Sequence, residues 1–104
     1  MTNPHVAMDE STRAYVLERE ELLARVRELL IDRLRVDREP FEIDPETPLF
    51  GTGLALDSVD AVELVVSIEG DFGVDLSKHG NHVAALRTVN TILDHLMEAR
   101  RDVA

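Results

Sequence analysis

A serine directly after an aspartate, Asp57-Ser58, stands where a glycine-containing loop gives way to a helix-like stretch. A hydroxyl in that position has two uses. In the ordinary one it caps the helix by accepting a backbone N–H. In the other it projects from the first turn as an attachment point, because the free N–H groups and the helix dipole there favour the negative charge of an added phosphodiester. No histidine or other general base lies within a few residues of Ser58, so the local sequence does not suggest a hydrolase nucleophile. Val59, Val62 and Val66 follow at helical spacing beside Asp60, Glu63 and Glu69. Exposed valines rimmed by carboxylates give a partner an apolar anchor with an electrostatic border.

Other chemistry is weakly signalled. His79 and His82 stand three apart, but with no third ligand nearby they read as ordinary surface histidines. Asp71-Phe72-Gly73 matches the metal-binding tripeptide of kinases without their other motifs. Gly51-Thr52-Gly53 is a fragment of a nucleotide loop with no lysine or third glycine. The clustered acids lack the alternating ligand pattern of a calcium loop. With no cysteine, the chain supplies neither disulfides nor a thiolate.

The elements that must position Ser58 are legible in the apolar spacing. A chain of 104 residues holds one domain and one modest core, which leaves little room for both a substrate pocket and catalytic groups. Leu22, Val26, Leu29, Leu30 and Leu34 predict a first helix over about Ser11–Leu34, its start set either by Ser11 or nearer Glu18. Residues 37–57 read as a long loop, in which Pro40, Pro45 and Pro48 deny helical donors and Gly51 and Gly53 supply flexibility. Phe41, Ile43, Leu49, Phe50 and Leu54 are spaced through it, so it is expected to pack on the core rather than hang free.

A second helix is expected from Ser58 to about Phe72, with Leu64, Val65, Ile68 and Phe72 inward and Gly73 as the stop. A short helix over about Val83–Leu86 precedes a last one capped by Thr88, whose Val89, Ile92, Leu93 and Leu96 share a face and whose end carries Arg100 and Arg101. The fold class is all-α, a four-helix bundle with a long loop between helices 1 and 2 and a short third helix. The domain is placed at 20–100. Residues 1–19 form an N-terminal extension, either partly disordered or lengthening helix 1, and 101–104 form a tail.

Charge narrows the partners. The net charge is −10, from 21 acids against 11 bases, and no Lys or Arg lies between Arg38 and Lys78. Such a surface repels nucleic acid and anionic headgroups and steers toward basic protein patches. Three Phe, one Tyr and no Trp leave little for stacking on bases. No apolar run approaches the ~20 residues that span a bilayer, and Met1 to Glu10 holds no secretory pattern, so a cytoplasmic monomer is expected.

The segment from Leu54 to Leu64, with Asp57-Ser58-Val59-Asp60 at its centre, resembles the phosphopantetheine attachment site of acyl carrier proteins. The likeness runs over roughly residues 20–98 and takes in the ladder of the first helix, Glu69-Gly70-Asp71-Phe72-Gly73, and Thr88-Val89 with Ile92 and Leu96. The resemblance implies a carrier of acyl-carrier-type bundle fold, not an enzyme. A separate phosphopantetheinyl transferase would esterify Ser58 with 4'-phosphopantetheine from coenzyme A, and acyl groups would ride as thioesters on its thiol. It also implies that Asp57, Asp60, Glu63 and Glu69, with Val59, Val62 and Val66, meet basic docking patches on acyl-processing enzymes of fatty acid, polyketide or related lipid synthesis. Ala55 and Val59 stand where the family commonly has Gly and Leu, which points to a specialised member. The alternatives are a non-covalent acidic helical interaction module and a carrier of aminoacyl or D-alanyl groups.

Overall fold

The computed structural model describes residues 9–76 and 82–103. Among them the chain is all-helical, without a β-strand. The helices are α1 (Glu10–Leu34), α2 (Ser58–Phe72), α3 (His82–Ala85) and α4 (Val89–Val103), with a single 3-10 turn at Pro40–Glu42. The polar stretch containing His79 and the side chain of His82 lie outside the described residues.

Helix α1 starts earlier than Ser11 or Glu18. Asp9 is its cap, accepting the Thr12 N–H at 2.7 Å and the Ser11 hydroxyl at 2.9 Å. These bonds to the charged form hold the Asp9 carboxyl below its ordinary 3.8. Two acceptable caps two residues apart compete, and the one that also binds its rival's hydroxyl prevails. The helix ends at Arg35, which takes a left-handed φ of 59°.

Leu22, Val26, Leu29 and Leu30 of α1 are buried against Leu64 and Ile68 of α2 and Val89, Ile92, Leu93 and Leu96 of α4, in one core. The inward face of α2 also carries Ser67, a buried position that hydropathy does not mark, and its hydroxyl donates to Glu63 at 3.5 Å. Beyond the core edge, α1 and α4 are joined by ion pairs from Arg19 to Asp94 at 3.0 Å and from Arg100 to Glu18 at 2.9 Å. Arg19 also donates to the Asn90 side chain at 3.3 Å. Thr88 and Thr91 cap α4 reciprocally: the Thr91 N–H donates to Thr88 Oγ1 at 3.2 Å, and the Thr88 N–H to Thr91 Oγ1 at 2.9 Å.

The loop between α1 and α2 does close one side of the core. Ile43 and Leu49 are fully buried and Leu56 nearly so, with Phe50 and Leu54 packed behind them. Phe41 departs from the expectation, for its ring is 79% exposed. The 3-10 turn at Pro40–Glu42 aims Ile43 inward and leaves Phe41 outside.

Candidate functional site

Ser58 is fixed by backbone pairings in the loop before it and by a side-chain box at the start of α2. Going toward it, the Leu49 N–H donates to the Arg87 carbonyl at 3.0 Å, which ties the loop to the α3–α4 connection. The Leu56 N–H then donates to the Leu49 carbonyl at 2.8 Å, so the residue two before Ser58 is pinned to a fully buried anchor. Between them the chain makes a tight reversal in which the Leu54 N–H reaches the Pro48 carbonyl at 3.0 Å.

Gly53 sits inside that reversal at φ +68°, where a β-carbon would fall 2.2 Å from the Pro48 oxygen. Its role is close approach of two backbone segments, not the flexibility expected from the sequence. Ala55, one residue before pinned Leu56, holds φ 55°. This left-handed conformation strains any residue with a β-carbon.

At the helix start the two candidate caps separate. Asp57 is the N-cap: its Oδ1 accepts the Asp60 N–H at 2.9 Å, while the Asp57 N–H donates to Asp60 Oδ2 at 3.0 Å. This reciprocal box leaves Ser58 as the first helical residue rather than the cap. Ser58 is exposed, and its hydroxyl has no hydrogen-bond partner among the described residues. Two carboxylates at a helix N-terminus also sit well with the dipole.

Past the first turn, Val59, Val62 and Val66 are 74%, 65% and 60% exposed and line one stripe of α2. Asp57, Glu63 and Glu69 are exposed beside them, while Asp60, held in the box, is half-buried. At the far end of α2, Asp71 is turned back toward α1: Arg33 pairs with its carboxylate at 3.2 Å and Arg25 donates to its carbonyl at 2.8 Å. The Arg25 guanidinium also stacks over the Phe72 ring, 4.3 Å from its centroid. Gly73 ends the helix at φ 70°, its N–H returning to the Glu69 carbonyl.

The geometry brings together, on one helix, the serine, the valine stripe and three exposed acids that the sequence singled out. It adds Gly53, Ala55, Leu49 and Leu56 as the residues that place them. Of these, Leu49 is legible in the sequence as a loop residue that packs on the core, Gly53 as a loop glycine and Ala55 as a departure from the family pattern, while Leu56 carries no signal of its own.

Residues 24–96 match the family described as the phosphopantetheine attachment site. The chain is 34% identical over 82 residues to an acyl carrier protein of Rubrobacter xylanophilus, covering 79% of this chain and 95% of that one. It is likewise 34% identical over 80 residues to an acyl carrier protein of Thermosynechococcus vestitus, covering 77% and 93%. The chain belongs to the acyl carrier protein family.

The prosthetic group of this family is 4'-phosphopantetheine, attached covalently. An exposed hydroxyl on the first turn of a helix, without a hydrogen-bond partner among the described residues, fits a phosphodiester. For this family member, no helix among the described residues is long and apolar enough to cross a membrane.

Proposed function

We propose that the chain is a carrier whose Ser58 holds 4'-phosphopantetheine and so presents acyl groups to the enzymes that process them, without catalysis of its own. The observation that supports this most is the division of labour at the start of α2. Asp57 takes the cap, and the one hydroxyl in the motif is exposed and has no hydrogen-bond partner among the described residues. The helices would then form the acyl-carrier four-helix bundle, with 20–100 as the carrier domain, working as a monomer in the cytoplasm.

In this reading the residues of the chain do three things. The Leu49–Leu56 pairing and the Asp57–Asp60 box fix where the Ser58 oxygen projects. The Ser58 and Val59 N–H groups, at the first two helical positions, would offer a phosphodiester on Ser58 a positive dipole end. Val59, Val62 and Val66 with Glu63, Glu69 and Asp57 offer the phosphopantetheinyl transferase and acyl-processing enzymes an apolar stripe edged by negative charge. When bound, the group supplies the thiol on which an acyl group is carried, a function the cysteine-free chain lacks.

The test is intact-mass spectrometry after incubation with coenzyme A and a promiscuous transferase. One phosphopantetheine per chain is expected on the wild type and none on Ser58→Ala. A correctly folded wild type that several transferases leave unmodified would overturn the proposal. Material from the protein's own cell, analysed the same way, would identify the cargo.

A further inference from the structure

Phe41 is the most exposed of the large apolar side chains described, more so than the α2 valines, yet it lies on a different element. Single apolar side chains at a surface are common, so exposure alone assigns nothing. What sets Phe41 apart is how firmly it is held there. Pro40 fixes the first position of the turn. The Glu39 N–H donates to Glu42 Oε1 at 2.8 Å, and the Glu42 N–H to the Glu39 carbonyl at 2.9 Å. The Ile43 N–H closes the turn on the Pro40 carbonyl at 3.2 Å.

The next residue along then locks the turn to the body of the protein. Ile43 is fully buried, and its carbonyl accepts from Arg27 Nε of α1 at 3.0 Å. An aromatic ring with two side-chain torsions on a backbone this constrained loses little freedom when it is covered, which is the character of an interface anchor. Charge near the ring is mostly negative: Glu39 and Glu42 flank it and Asp37, Asp44 and Glu46 lie close in sequence, all exposed, against the exposed bases Arg35 and Arg38.

We propose that Phe41 is a second docking point, separate from the valine stripe of α2. It would insert into an apolar pocket rimmed by lysine or arginine on an enzyme that acts on the carried group. The rim is inferred from the excess of carboxylates over bases around the ring and from the net charge of −10, which would repel an anionic lipid surface or a second copy of this acidic chain. The proposal rests on the carrier reading of Ser58 and adds to it a determinant of which enzyme docks.

The test places a photo-crosslinking analogue at the ring. The full chain carrying Phe41→p-benzoylphenylalanine, loaded with phosphopantetheine, is irradiated in its own cell, and the joined peptides are sequenced. Loading is read by intact mass in the same sample, so failure of Ser58 to take the arm is seen separately from failure at Phe41. One enzyme is expected to dominate, joined through a peptide with apolar residues beside Lys or Arg. Purified, that enzyme should bind Phe41→Ala about thirtyfold more weakly than wild type, about 2 kcal/mol at 1.4 kcal/mol per tenfold. Phe41→Leu should fall between, and added salt should weaken all three complexes. Crosslinks that simply follow protein abundance overturn the proposal, as does an affinity for Phe41→Ala within threefold of wild type. A Phe41-dependent dimer or vesicle binding in place of the enzyme complex would overturn it as well.

Discussion

Replacing Asp57 and Ser58 one at a time separates the cap from the attachment point. Asp57 Oδ1 takes the Asp60 N–H at 2.9 Å, and losing an N-cap of this kind costs about 1 kcal/mol. For a domain of this size, 1 kcal/mol shifts Tm by about 4–8 °C. The Ser58 hydroxyl has no partner among the described residues, and alanine is the better helix former by at most about 0.5 kcal/mol. Thermal unfolding of the unmodified proteins at neutral pH and about 0.15 M salt should therefore show Asp57→Ala lower by about 4–8 °C. Ser58→Ala should sit between wild type and about 4 °C above it. Asp57→Asn, which keeps an acceptor, should sit near wild type. If Ser58→Ala falls as far as Asp57→Ala, the serine oxygen is itself capping α2, and the separation argued above is refuted.

Further perturbations test the approach to the site and the cap of α1. Gly53→Ala puts a β-carbon 2.2 Å from the Pro48 oxygen and should lose about 1–3 kcal/mol in urea denaturation. Gly51→Ala, with open space around it, should lose less, and the reverse order would contradict the close approach. Ala55→Gly should be neutral to about 1 kcal/mol stabilising, since relief of left-handed strain of about 1–2 kcal/mol is partly offset by the added freedom of the unfolded chain; a loss beyond 1 kcal/mol in the same assay would show that Ala55 is not strained. The Asp9 carboxyl is held down by its bonds to Thr12 and Ser11, so its contribution is present above the ordinary aspartate value of 3.8 and fades as pH falls through the lower folded value. Protection of the Thr12 amide, its exchange rate relative to the unstructured chain at the same pH, should fall on acidification through that range, and Asp9→Asn should flatten the dependence.

The helices were readable because their apolar residues repeat at helical steps. Leu22, Val26, Leu29 and Leu30 settle the inward face of α1, and Ser58–Phe72 is bounded by an aspartate cap and a left-handed glycine, both local signals. The motif around Ser58 was likewise visible as a contiguous string. What escaped was the set of features that no apolar period marks. Gly53 is required because Pro48 passes over it. Phe41 and Ile43, two apolar residues in one loop, fall on opposite sides of a three-residue turn too short to carry a period. Ser67 is buried because its small side chain faces the core on α2, and hydropathy marks no such position.

The ties between α1 and α4 bear on how much of the chain is needed for folding. Twenty-five residues make α1 a rod of about 38 Å, and its polar links to Asp94, Asn90 and Arg100 all spring from the adjacent pair Glu18 and Arg19. The stretch that matches the family begins only at residue 24. A shortened protein cut to that stretch would keep the recognisable part yet lose buried Leu22 and both ion pairs that hold α1 to α4, whereas a truncation that starts upstream of Glu18 keeps all three.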